Sequence, residues 1–144
     1  MSQDQERYVV EALQKAVIAA VAASDDDTLT IRMLGRTLDT PDNDKWLEVV
    51  HIPNNSNPTW GNEQVYEGAF RLILHWPVDD QGAYDAMYLM RTINAYFTKG
   101  SKHSDSGSNV EVTITRQPMF MGLIEEAPEM LFPYSFRYRC YVTT

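Results

Sequence analysis

From Tyr66 to Trp76, apolar or small residues recur at every second position: Tyr66, Gly68, Phe70, Leu72, Leu74 and Trp76. Glu67, Arg71 and His75 fall between them, with Ala69 and Ile73 mixed in. A two-residue period puts one set of side chains on a buried face and the other toward water, so this stretch predicts a long strand. Pro77 cannot donate to a ladder and ends it. Asp79 or Asp80 is placed to cap a helix that begins near Gln81. Ala86, Leu89, Met90, Ile93 and Phe97 then recur at spacings of three and four, which marks the helix face laid on a sheet.

The same patterns organise the rest of the chain. Val9, Leu13, Ala16, Val17, Ala20 and Val21 form one stripe of a helix from Gln3 to Ala23. Ser2 with Gln5 gives it a capping box, and Asp4 and Glu6 suit its N-terminal dipole. Thr28 to Leu34 and Trp46 to Ile52 read as strands, separated by a polar, Pro41-containing connection. Residues 53–63 form an Asn- and Pro-rich loop with Trp60 in its middle, and Lys99 to Asn109 is a small-residue, flexible connector. Val110, Val112 and Ile114 alternate with Glu111, Thr113 and Thr115 as a further strand. Gln117 to Pro128 is apolar yet broken by Pro118, Gly122 and Pro128. The final strand sets Phe132, Tyr134, Phe136, Tyr138, Cys140 and Val142 against Ser135, Arg137 and Arg139.

Read together, residues 1–144 make one α+β domain in the order helix, three strands, helix, two strands. The expected sheet is mixed and mainly antiparallel, of about five strands, with both helices packed on one face.

Charge narrows the possible partners. With 12 Lys+Arg against 20 Asp+Glu the formal net charge is −8. That balance argues against nucleic-acid binding, sequence-specific binding included, and against an anionic membrane surface. It leaves room for DNA to pass through a channel without sticking. The N-terminus lacks the basic and apolar regions of a signal peptide, and no apolar run approaches a membrane span, so synthesis in the cytoplasm is expected.

Candidate chemistry is sparse. His51, His75 and His103 lack the helical i, i+4 spacing of zinc-protease ligands. Cys140, the single cysteine, falls on the apolar side of the last strand, where a thiol acts as a small hydrophobe. The acidic runs do not alternate as a calcium loop requires, and no Gly-rich phosphate cradle or nucleophile elbow occurs. No catalytic, metal or cofactor residue is therefore expected, and no cofactor. Interface candidates are better founded. Tyr84, Tyr88 and Arg91 share a second side of the second helix and are residue types enriched at interfaces. Tyrosines with buried rings and wet hydroxyls read equally well there. Met119, Phe120 and Met121 sit on a broken segment where an adaptable exposed patch is the better reading, and Trp60 is treated alike.

The strand YEGAFRLILHWP, the helix end NAYF, then VEVTI and the aromatic strand FPYSFRYR together resemble the tail-terminator proteins of long-tailed bacteriophages. They also resemble the tail-completion and head–tail joining proteins of the same fold. The resemblance runs from the first helix to Tyr141 and carries over no catalytic residue. It implies a virion protein at the head-proximal end of the tail, forming a ring of six copies that caps the tube and stops its growth. The implied partners are further copies of itself, the tail tube protein, and the head connector or neck protein. A neck protein that never caps a tube, and a small-ligand module built around the aromatic cluster, are the alternative readings.

Overall fold

The computed structural model describes residues 2–24, 29–32, 45–53, 57–58, 63–78, 83–104, 110–126 and 129–143. Its frame is a pair of fifteen-residue antiparallel strands, β4 (Glu63–Pro77) and β8 (Glu129–Thr143), in register from Glu63↔Thr143 to Pro77↔Glu129. At the usual rise per residue such a ladder is about 50 Å long. Strands β2 (Trp46–Pro53) and β3 (Asn57–Pro58) follow one another along the free edge of β4. β6 (Glu111–Phe120) and β7 (Ile124–Glu126) do the same along β8. β1 (Thr30–Arg32) and β5 (Lys102–Ser104) are the edges, giving the order β1-β2-β4-β8-β6-β5 with β3 and β7 beside the central pair.

The fold is α+β with two helices and a mixed sheet. Among the described residues the sheet has eight strands, three of them short additions to the about five expected. The difference has local causes: two long tracks are each cut into two strands, and Lys102–Ser104 pairs with β6 inside the supposed connector. β1 is the parallel element, running beside β2 from Thr30↔Trp46 to Arg32↔Glu48. The chain between these two strands is long enough for the crossover that parallel pairing requires.

Register separates the two faces of the sheet. Phe70↔Phe136, Leu72↔Tyr134 and Leu74↔Phe132 stand opposite each other, with Leu47 and Val49 of β2 beside them. All are buried, and both helices cover this face. α1 (Ser2–Ala22) buries its predicted stripe, plus Ala12, against α2, β5 and β6. α2 (Tyr84–Asn94) buries Ala86, Leu89, Met90 and Ile93, and a 3-10 turn brings Phe97 onto Phe136 with ring centroids 4.5 Å apart. Ala83 stands at the N-cap of α2 without a side-chain capping bond, so the helix starts later than the Gln81 reading; Asp79 and Asp80 lie outside the described residues.

β6 runs on to Phe120, past the Thr115 end of its alternating pattern, because two bulges absorb the irregular residues. Ile114 faces Tyr138 but Arg116 faces Arg137, and Met119 then faces Ser135, so each shift adds one residue to β6. Pro118 falls inside the second shift, where a missing N–H costs no ladder bond. The first shift turns Arg116 away from the core side occupied by Val112 and Ile114.

Across the uncovered face runs a polar chain over four successive strands. Arg32 reaches Glu48 at 3.7 Å, His75 Nε2 meets Glu48 Oε1 at 3.0 Å, and His75 Nδ1 meets Glu129 Oε2 at 2.8 Å. Ionised carboxylates only accept, so both His75 contacts are hydrogen bonds when each ring nitrogen carries a proton. Trp46 stacks on the imidazole with centroids 3.7 Å apart, which shields it from water.

Two predictions follow from the packing of the covered face. Tyr138 Oη contacts His51 Nε2 at 2.6 Å and lies directly above Gly68, whose added Cβ would stand 2.6 Å from that hydroxyl and 2.8 Å from the Ile52 carbonyl oxygen. Backbone cannot move aside cheaply, so Gly68→Ala is expected to cost about 1–3 kcal/mol by chemical denaturation. An unchanged midpoint would mean that Tyr138 is free to swing away.

His103 on β5 packs on Phe97, with centroids 5.3 Å apart. Burial lowers its pKa below the ordinary 6.5, against a backbone hydrogen bond to Tyr96 that raises it. Above that value the ring is neutral in both states. Below it the unfolded chain takes the proton first, so stability falls as pH drops toward the folded pKa. His103→Gln should flatten the stability curve between about pH 7 and 5 relative to the parent, read by urea denaturation at each pH. Parallel curves would remove His103 as the cause.

Candidate interaction surface

The second helix is apolar on two sides. Opposite its buried stripe, Tyr84, Met87, Tyr88 and Arg91 recur at spacings of three and four, all exposed, with Tyr84 83 % accessible. A helix facing only water has no use for a second apolar stripe. Met87 completes the stripe and was not among the residues picked from sequence; its i+3 offset from Tyr84 was the available signal.

The second half of the surface is the track from β6 to β7. Met119, Phe120, Met121, Leu123 and Ile124 are all at least 40 % exposed. Gly122 between them takes φ +105°, a left-handed conformation that side chains resist, and so lets β6 break and β7 resume beside β8. The Met121 N–H donates to the Pro133 carbonyl at 2.9 Å and holds the bend on β8. The apolar side chains are thus fixed at their backbone and free at their tips, which suits methionine's adaptability.

Tyr134 joins the halves. Its ring stacks on Phe120 with centroids 5.0 Å apart, and it floors an open groove of about 490 Å³ that it shares with Met87, Tyr88 and Arg91. Burial raises the pKa of its hydroxyl above the ordinary 10.0, so it stays a neutral phenol. The structure therefore brings Tyr88 and Arg91 together with Phe120 around a residue that sequence reading assigned to the core. Tyr84 continues the helix side of the patch, and Met119 and Met121 flank Phe120 on the other. Trp60 lies outside the described residues. The exposed side chains of Met87, Tyr88, Phe120 and Met121 around Tyr134 make this the candidate interaction surface among the described residues.

Reactive groups do not converge anywhere near it. Among the described residues no three His, Cys, Asp or Glu side chains are grouped to hold a metal. Cys140 is buried, and burial pushes its thiol up to about 11, against a backbone hydrogen bond at Glu111. No helix among the described residues is long and apolar enough to cross a membrane.

The family model described as phage tail terminator protein matches residues 9–138. One solved structure superposes with a TM-score of 0.76 at 20 % identity, covering 97 % of this chain and 96 % of the other. At that identity the likeness shows the fold alone. No curated protein matches the chain.

The patch can be checked without knowing its partner. Replacing Tyr88 and Met121 together by Ser should reduce the fluorescence of a hydrophobic dye bound to the native protein at least severalfold. The thermal midpoint should barely move, since exposed substitutions of this kind fall within about 0.5 kcal/mol each. Unchanged dye binding would show that the patch is smaller than its exposed residues indicate.

Proposed function

The chain belongs to the phage tail terminator protein family, a family of structural tail proteins, and from that premise we propose that it forms a ring on the head-proximal end of the tail tube. The ring, of six copies, stops the tube from growing and offers the head its attachment surface. One observation carries this reading: the continuous apolar surface from α2 through Tyr134 to the β6–β7 bend, on a subunit without a reactive cluster among the described residues.

A cap has two physical tasks. It must bind the open end of a tube tightly, and it must present outward a surface on which the next tube subunit cannot dock. An adaptable patch rich in Met and aromatic rings serves the first, because thioethers and rings fit an irregular partner at low entropic cost. The net charge of −8 serves passage of the genome, since an acidic lumen repels the DNA backbone. Further copies of the chain, the tube protein, and the connector or neck protein are the partners in this reading.

The test is tail length. Deleting the reading frame from its phage is expected to yield overlong, headless tubes of variable length in negative-stain electron micrographs. Tubes of normal length beside filled, unjoined heads would assign the protein to the neck instead. Intact, infectious particles would overturn both assignments.

A further inference from the structure

The sheet face away from the helices carries an arginine cluster that Glu67 neutralises only in part. Arg116 of β6 stands opposite Arg137 of β8, Arg139 follows two residues on, and Arg71 of β4 faces Ser135 on the far side of β8. Directly opposed side chains on one sheet face have Cβ atoms about 5 Å apart, where like charges repel. Among the described residues Arg139 pairs with a carboxylate, Glu67 at 2.9 Å, and Arg71 Nε is buried without a hydrogen-bond partner. A hollow of about 280 Å³ opens beside the cluster, lined by Ile52, Glu67, Ala69, Thr115, Arg137 and Arg139. The bulge between Ile114 and Arg116 builds this cluster, because it moves Arg116 to the uncovered side.

We infer that this arginine face is the receiving half of the contact between neighbouring copies, and that it takes the acid-rimmed apolar patch of the next subunit. The inference rests on the ring reading. Its basis is complementarity within one chain. The apolar patch is flanked by the exposed carboxylates of Asp85, at the first turn of α2, and Glu125, on β7. Glu125 lies at the end of the ladder where β4 ends and β8 begins. The arginines lie toward the middle of the ladder on the opposite face. Arg91 also belongs to the patch and sits in its groove rather than beside those carboxylates in sequence. Phe120, Tyr134 and Glu125 lie on the helix side of the sheet and the arginines on the other, with Met119 opposite Ser135 at the border between them. Donor and receiver thus differ, which gives head-to-tail association and, with the right rotation, a closed ring. Nucleic acid is a poorer occupant: Glu67 lies within the hollow, and the chain has 12 Lys+Arg against 20 Asp+Glu.

The experiment places one cysteine on each half, Thr115→Cys in the hollow and Leu123→Cys just before β7, with the buried Cys140 silent. The variants replace the wild-type gene in phage-producing cells. Those cells, and tails purified from them, are treated with a short bis-maleimide and run on denaturing gels. Each single variant should stay monomeric, the two co-expressed should give a dimer, and both changes in one chain should give a ladder. Adding Arg116→Glu and Arg137→Glu should remove the ladder, while Lys at the same positions should keep it. Dimers from either single variant would mean a self-complementary contact, and absence of a ladder would mean another occupant; each overturns the inference. Gln117→Cys, an exposed position, stands in if Thr115→Cys lowers the thermal midpoint. Tail length, scored separately on the deletion, fails on its own if the terminator reading is wrong, whatever the gels show.

Discussion

Everything in this molecule is hung on the fifteen-pair ladder between β4 and β8. Each of its two outer edges is long enough to take two strands end to end, so β2 and β3 share one and β6 and β7 the other. Its period of two sends Phe70, Leu72, Leu74, Phe132 and Phe136 to one side, where all five are fully buried and Phe136 packs its ring on Phe70 and Phe97. A slip of one residue would exchange those rings for Arg71, Ile73, Pro133 and Arg137, so the register is fixed by burial rather than by any turn. Gly68 and Tyr138 lock the same register locally, since the hydroxyl needs a position without a side chain opposite it.

The uncovered face needs its own means of holding strands together, because it has no hydrophobic layer over it. The Arg32–Glu48–His75–Glu129 chain provides one by crossing from β1 to β8 through side-chain contacts that parallel the backbone ladders. Trp46 keeps water off the imidazole, and hydrogen bonds to charged groups are stronger in such a shielded place. At the other end of that face the arginines have no comparable arrangement. One sheet surface therefore holds a linked polar network at one end and, at the other, an arginine group in which Glu67 pairs with Arg139. The first ties β1 to β8, and the second is the group we infer to receive a neighbouring copy.

Sequence pattern revealed the long strand, both helices, the core stripe of each and the inward side of β8, because those depend on periodicities of 2 and 3.6 that run uninterrupted. It failed where the period breaks. Two bulges in β6 each shift the pattern by one, so Arg116, even-numbered like Val112 and Ile114, ends on the other face, a result no alternation rule predicts. Lys102–Ser104 is too short and polar to read as a strand, and it pairs because Gly100 and Ser101 tie it to Ile114. Of the interface candidates, Tyr88, Arg91 and Phe120 were legible singly. Their meeting at Tyr134 was not, since the alternation along β8 does not set Tyr134 apart from Phe132 or Phe136.

The charge of the chain sets the last constraint. Copies that each carry −8 repel one another, and with a Debye length of about 8 Å at physiological salt that repulsion is felt mainly close to contact. A stable seam must then bring opposite charges within a few ångströms, over surface that also excludes water. The described cations are otherwise scattered or paired: Arg7 is tied to Glu11, Lys102 to Glu111 and Arg32 to Glu48. Arg71, Arg116, Arg137 and Arg139 are the group gathered on one face, beside a hollow that offers apolar walls. In an acidic chain such a cluster lowers the energy of association only where it meets carboxylates, and the surfaces of its own copies are the nearest supply. Self-repulsion elsewhere on the subunit then confines the contact to that seam, favouring one defined arrangement over indiscriminate aggregation.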